Sequence, residues 1–211
     1  MAKTSVRTLR AVLRPALYAT AGLALAALTV AAVTTGNSMW KSLWNGTPYP
    51  LVDPGAVTQR LKDRSDQVYE RLALPGKYAA DPGRVHVDGN CSYRGLRGVA
   101  HIDESRADVS SFALDWRVPD VPEATARDAQ RRIRRHLAEG DWKLTHVEDR
   151  RGAAFRVLRF RAEGPDSGDQ IDVRWNDSTT TLFVSVYAPC GQVPDTFDAY
   201  EWPGVDWEPK K

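Results

Sequence analysis

Hydrophobic positions along this chain follow three patterns in turn. From Ala16 to Val33 no charge interrupts eighteen residues, then apolar residues recur every three to four positions, and later every second position. The first pattern predicts a membrane span. Such a helix needs about 20 mostly apolar residues, with about 17 as the lower limit. No charge appears until Lys41, so the segment extends through Gly36. Lys3, Arg7, Arg10 and Arg14 precede it, and a cationic tail is held on the cytoplasmic side. The reading is a cytoplasmic tail over 1–15, a signal-anchor over 16–36, and the rest of the chain outside the plasma membrane. Trp40 and Trp44 flank Lys41, and an indole, apolar in body with a polar N–H, favours the headgroup region. These two are the expected membrane-interface residues. A cleaved signal peptide is the alternative, but its apolar core would be shorter and no clean A-x-A site follows this one.

Residues 37–52, with Gly46, Pro48 and Pro50, read as a juxtamembrane linker. The helical period then begins. Asp53-Pro54 supplies an N-cap acceptor and a first-turn proline, Val57, Leu61, Val68 and Leu72 form one apolar face, and Leu74-Pro75-Gly76 stops the helix. Val85–Asp88 is a short strand candidate, and Ser92–Val109 shows no readable pattern. Phe112, Leu114, Trp116 and Val118 alternate with polar or small residues and predict a half-buried strand. A helix from Glu123 to Glu139 follows, closed by Gly140, with Ala126, Ala129, Ile133 and Leu137 as its apolar face. Four more strands are predicted at Trp142–Glu148, Phe155–Glu163, Gln170–Asn176 and Thr179–Ala188. Their connections are too short for parallel crossovers. The predicted fold is therefore α+β: an N-terminal transmembrane helix, then over 53–190 an antiparallel meander of four or more strands covered by one or two helices. Residues 191–211 form a tail rich in proline and aromatics, including Phe197, Tyr200, Trp202 and Trp207, without a period and expected to be extended, with docking on the domain as the alternative because two tryptophans in a free tail are unusual.

Charge and cysteine usage refine this picture. The formal charge is +2, but four of the 29 basic residues lie in the cytoplasmic tail, leaving 25 against 27 acidic residues, a net of −2. A nearly neutral exported part gives no electrostatic reason to expect nucleic acid. Both cysteines, Cys91 and Cys190, lie in the exported part, where a disulfide is permitted, and two cysteines leave one intramolecular pairing. No C-x-x-C spacing points to redox chemistry, so the bridge is expected to be structural.

Candidate chemistry is sparse. Arg127, Arg131, Arg134 and Arg135 on the 123–139 helix offer a docking surface for lipid headgroups, an anionic wall polymer or an acidic partner. The competing reading is a solvated face whose arginines also complement the negative end of the helix. His101 with Asp103 and Glu104 lacks a second histidine at ligand spacing, and Asp166, Asp169 and Asp172 around Gly168 do not match a calcium loop. There is no G-x-S-x-G elbow and no glycine-rich phosphate loop. No catalytic, metal or cofactor site is expected. Carboxylates that meet only in space, Asp115 among them, keep a glycoside-hydrolase-like reading open.

The Arg- and Ala-rich N-terminal anchor, one small α+β domain, and a lone cysteine pair in Gly89-Asn90-Cys91 and Ala188-Pro189-Cys190-Gly191 together resemble the uncharacterised membrane-anchored exported proteins of high-GC actinobacteria. Many of those are lipoproteins, whereas this chain has no lipid-bearing cysteine near its apolar segment. The resemblance is one of layout and implies no activity. The expected function is a single-pass, non-catalytic binding or envelope-associated module, whose partners are the bilayer and an envelope protein or cell-wall component. The alternatives are a tethered envelope hydrolase and an accessory subunit of a membrane complex, held through small residues of the 16–33 helix such as Ala21, Gly22, Ala26 and Ala27.

Overall fold

The computed structural model describes residues 39–151 and 156–209. The expected span at 16–36 lies outside the described residues, as do Gly152 and Phe155. Among the described residues no helix is long and apolar enough to cross a membrane. They divide into two compact units, one holding 39–48 and 93–102, the other 49–92 and 103–209.

The larger unit is an antiparallel sheet with helices. Seven strands run in the order β3-β4-β5-β6-β2-β1-β7: β1 Asp81–Ser92, β2 Ser105–Val118, β3 Lys143–Arg151, β4 Arg156–Glu163, β5 Gln170–Asn176, β6 Thr181–Gln192 and β7 Val205–Trp207. Every neighbouring pair is antiparallel. The short connections enforce the β3–β6 meander, as the alternating pattern predicts. Helix α2 (Pro54–Leu72) starts on Asp53, whose carboxylate accepts from the backbone N–H groups of Gly55 and Ala56 at 3.1 and 3.3 Å. Its buried face carries Val57, Leu61, Val68 and Leu72. Helix α4 (Glu123–Glu139) buries Ala126, Ala129, Ile133 and Leu137, together with Gln130, which donates to the Leu158 carbonyl at 3.1 Å. Both helices cover the sheet face that presents Phe112, Leu114 and Trp116 of β2, Phe160 of β4, Val173 and Trp175 of β5, and Val184 and Val186 of β6.

Several boundaries differ from the expectation. β1 and β2 are far longer than the apolar alternation suggested, because their pairing shifts register at three places and the side-chain period breaks at each shift. Residues Pro50–Val52, expected as linker, join the domain: Val52 donates to the Gln192 carbonyl at 2.9 Å and Gln192 to the Pro50 carbonyl at 2.8 Å. Gly191 is needed there, since a Cβ would lie 2.5 Å from a Val52 methyl.

The Cys91–Cys190 disulfide is formed. Its cysteines lie inside β1 and β6, on either side of β2, rather than after the first strand and at the end of the last. Two strand spacings would separate such positions by about 9.6 Å in a flat sheet. The Cα atoms are 6.1 Å apart. The register shifts between Asn90 and Cys91 in β1, and between Ser110 and Phe112 in β2, occur at this crossing.

The tail is the larger departure. Phe197 and Trp202 meet Phe112 with ring centroids 5.7 and 5.5 Å away, and β7 adds a strand to β1. Trp207 is 1% exposed, lies 5.2 Å from the Trp116 ring, and donates from Nε1 to Asp66 at 2.9 Å. Aperiodic aromatics therefore complete the core. Trp207→Ala is expected to destabilise the full chain by about 3–5 kcal/mol, read by denaturant unfolding in detergent. A loss below about 1 kcal/mol would mean that the tail is not part of the cooperative core.

Candidate membrane-facing site

Among its described residues the smaller unit holds two helical stretches. Residues 39–45 are helical (α1), and α3 (Gly95–Ala100) lies in the connection between β1 and β2. Six residues cannot hold a helix by themselves, because nucleation is costly and few hydrogen bonds repay it. α3 is held by close backbone contact. Gly46 and Gly95 both have positive φ, +68° and +63°, and a Cβ on Gly95 would sit 2.4 Å from the Gly46 nitrogen and 2.7 Å from the carbonyl oxygens of Leu43 and Trp44. Arg94 donates from Nη1 to the carbonyl of Thr47 at 3.1 Å and of Pro48 at 3.4 Å. Arg97 lies over the Tyr93 ring at 4.6 Å, and the His101 ring meets the same tyrosine at a 36° tilt with centroids 4.8 Å apart.

No described residue of this unit is buried. Met39, Trp40, Leu43 and Trp44 of α1 are exposed, as are Leu96, Val99 and Ile102 at and just after α3. These seven are most of the eleven large hydrophobic side chains exposed among the described residues, gathered in 20 positions. Such concentration is more than the single scattered apolar residues of an ordinary surface. Trp40 and Trp44 stack with centroids 6.0 Å apart. The charged groups in the same stretches are Lys41, Arg94 and Arg97, with no Asp or Glu. An apolar, tryptophan-bearing surface with only positive charge suits the boundary between acyl chains and anionic headgroups.

The α4 arginines are differently engaged. Arg127 donates to Glu123 at 2.9 Å and to Asp149 of β3 at 2.9 and 3.2 Å. Arg131 pairs with Asp128. Arg134 is half-buried and Arg135 exposed. Arg132, outside the expected set, turns inward and donates to the Leu72 carbonyl at 2.6 Å, satisfying the C-terminal end of α2. The four expected docking residues thus include one, Arg127, already joined to two carboxylates.

Carboxylates on the larger unit are also committed. Asp169 is fully buried and receives Arg60 of α2 at 3.0 Å. Asp172, on the sheet face opposite the helices, accepts from Arg159 and Arg161 of β4, at 3.0 and 2.9 Å. Asp115 lies on that same open face with His86 Nε2 at 3.6 Å. Among the described residues no group of three or more His, Cys, Asp or Glu could hold a metal ion. A cleft of roughly 200 Å³ opens beside α2 and α4, where Arg64 lies 5.3 Å over the Trp142 ring, with Arg71, His136 and Ile171 in its walls. Its guanidinium groups beside apolar walls can hold a small anion with an apolar body.

Comparison with family models, with curated proteins and with solved structures finds no match.

Two consequences are measurable. Gly95→Ala is expected to release residues 93–102 to limited proteolysis while leaving unfolding of the larger unit unchanged; continued protection would mean that the Gly46–Gly95 approach is not required. The Asp149 carboxyl is held below the usual carboxylate range, chiefly by the hydrogen bond from Arg127. A carboxyl depressed by folding stabilises the fold above its unfolded value, and that contribution fades as pH falls through the lower folded value. Arg127→Ala should move the Asp149 titration upward in carboxyl-detected NMR, and an unmoved titration would show that the pair does not persist in solution.

Proposed function

We propose that the chain is a single-pass protein of the cell envelope, anchored by residues 16–36, with the larger unit outside the plasma membrane as a non-catalytic binding module. The observation that carries this reading is the smaller unit's exposed apolar and cationic surface, in a chain whose residues Ala16–Val33 carry no charge. The disulfide adds support, since such bridges persist in oxidising compartments. The engagement of Asp169 and Asp172 with arginines favours binding over hydrolysis, because a catalytic pair needs one carboxyl free to hold a proton. The Arg64–Trp142 cleft is the natural place for a small ligand on this module.

In cells making the full chain, alkaline extraction should leave the protein in the membrane pellet, and protease added from outside should digest the domain while sparing the cytoplasmic tail. A mature protein lacking its first residues and released into the medium would replace anchoring with secretion. Digestion from the cytoplasmic side alone would reverse the orientation.

A further inference from the structure

We infer that the Tyr93–Ile102 excursion is a lipid-inserting foot, a second membrane contact separate in sequence from the anchor, which places Leu96, Val99 and Ile102 among acyl chains and Arg94 and Arg97 at anionic headgroups. The inference rests on the anchored reading above and adds a contact which that reading does not require.

Three observations carry it. Leu96 and Val99 are spaced three apart within α3, so they emerge on one side of its turn, and Ile102 follows two residues past the helix end. Val99 is 74% and Ile102 76% exposed, well beyond what a β1–β2 connection needs. A simple polar turn would join two antiparallel strands. Here the chain instead builds a six-residue helix and fixes it through Gly46, Gly95 and the Arg94 hydrogen bonds, so that the apolar side chains are presented in a defined arrangement. That rigidity lowers the ordering cost of insertion.

The chemistry selects lipid over protein. The described residues of this unit contain Lys41, Arg94 and Arg97 and no acid, while Asp103 and Glu104 begin immediately after it. Basic side chains without an acid, beside exposed apolar ones, match an anionic leaflet, where long basic side chains lay their stems along apolar surface and keep their charges at headgroup level. The same unit carries the stacked Trp40 and Trp44, and the chain before it supplies the uncharged run. Both stretches of the unit thus share one composition, that of an interfacial segment.

The test uses the full chain in native membranes, with a benzophenone amino acid replacing Leu96, Val99 or Ile102 and, as a control, Tyr200, which is 87% exposed on the larger unit. After irradiation, mass spectrometry should find lipid adducts at the three positions at least tenfold above those at Tyr200. Adducts with protein alone, or lipid adducts no higher than at Tyr200, would overturn the inference. In vesicles, exchanging phosphatidylglycerol for phosphatidylcholine should lower the lipid adduct several-fold; an equal yield would remove the headgroup role of the arginines. Alkaline extraction of the same membranes separates this result from the anchored reading. Protein retained in the pellet without adducts refutes the foot alone. Protein extracted by alkali yet giving adducts refutes the anchor alone.

Discussion

Pairing of β6 with β2 is the constraint on which the rest of the larger unit depends. It runs from Val118↔Leu182 to Val109↔Gln192 and joins the β3–β6 meander to the β2-β1-β7 half of the sheet. Without it the two halves would each expose an unpaired edge and half a core. With it, α2 and α4 share one covered face, and Leu114, Trp116, Val184 and Val186 form its centre. Closing this pairing across α4 and three strands carries a loop-closure cost. The Cys91–Cys190 bridge acts at the same place, restricting the unfolded chain over a separation of 99 residues.

The same pairing organises both ends of the unit. Immediately after Gln192 the chain turns, with Val193 donating to the Asp108 carbonyl at 3.0 Å, and the tail runs back along β2 to place its aromatics against Phe112 and Trp116. Pro50–Val52 joins the opposite side of Gln192. Entry to and exit from the sheet therefore converge on one strand end. The helix-free face is polar, as an antiparallel sheet permits, and one cross-strand row reads His146, Arg161, Asp172, Ser185, Asp115, Arg84. Its near-balance of charge fits the small net charge expected of the exported part.

The proposed membrane contact lies where the packing is least. The larger unit has a continuous core, its buried carboxylates matched by arginines, and its most basic helix partly neutralised by Glu123, Asp128 and Asp149. The smaller unit has no buried described residue and presents apolar side chains on a frame fixed by two glycines. Under the membrane reading these properties belong together, because lipid supplies the burial that the protein interior does not.

Periodicity in the sequence determined α2, α4 and the later strands, because one continuous face of each is buried and burial imposes a period. The cysteine pairing followed from there being only two. Other features had no such signal. Bulges break alternation, so most of β1 and the first half of β2 were hidden. α3 is shorter than the window in which a helical period can be recognised, so Leu96, Val99 and Ile102 give no readable pattern in the sequence. Asp169 and Asp172 find their arginines, Arg132 finds Leu72, and Trp207 finds Asp66 only through contacts between distant segments. Local pattern reports which face of an element is buried. What that face meets, and which charges are neutralised, depends on where the other segments fold, and this only the tertiary structure decided.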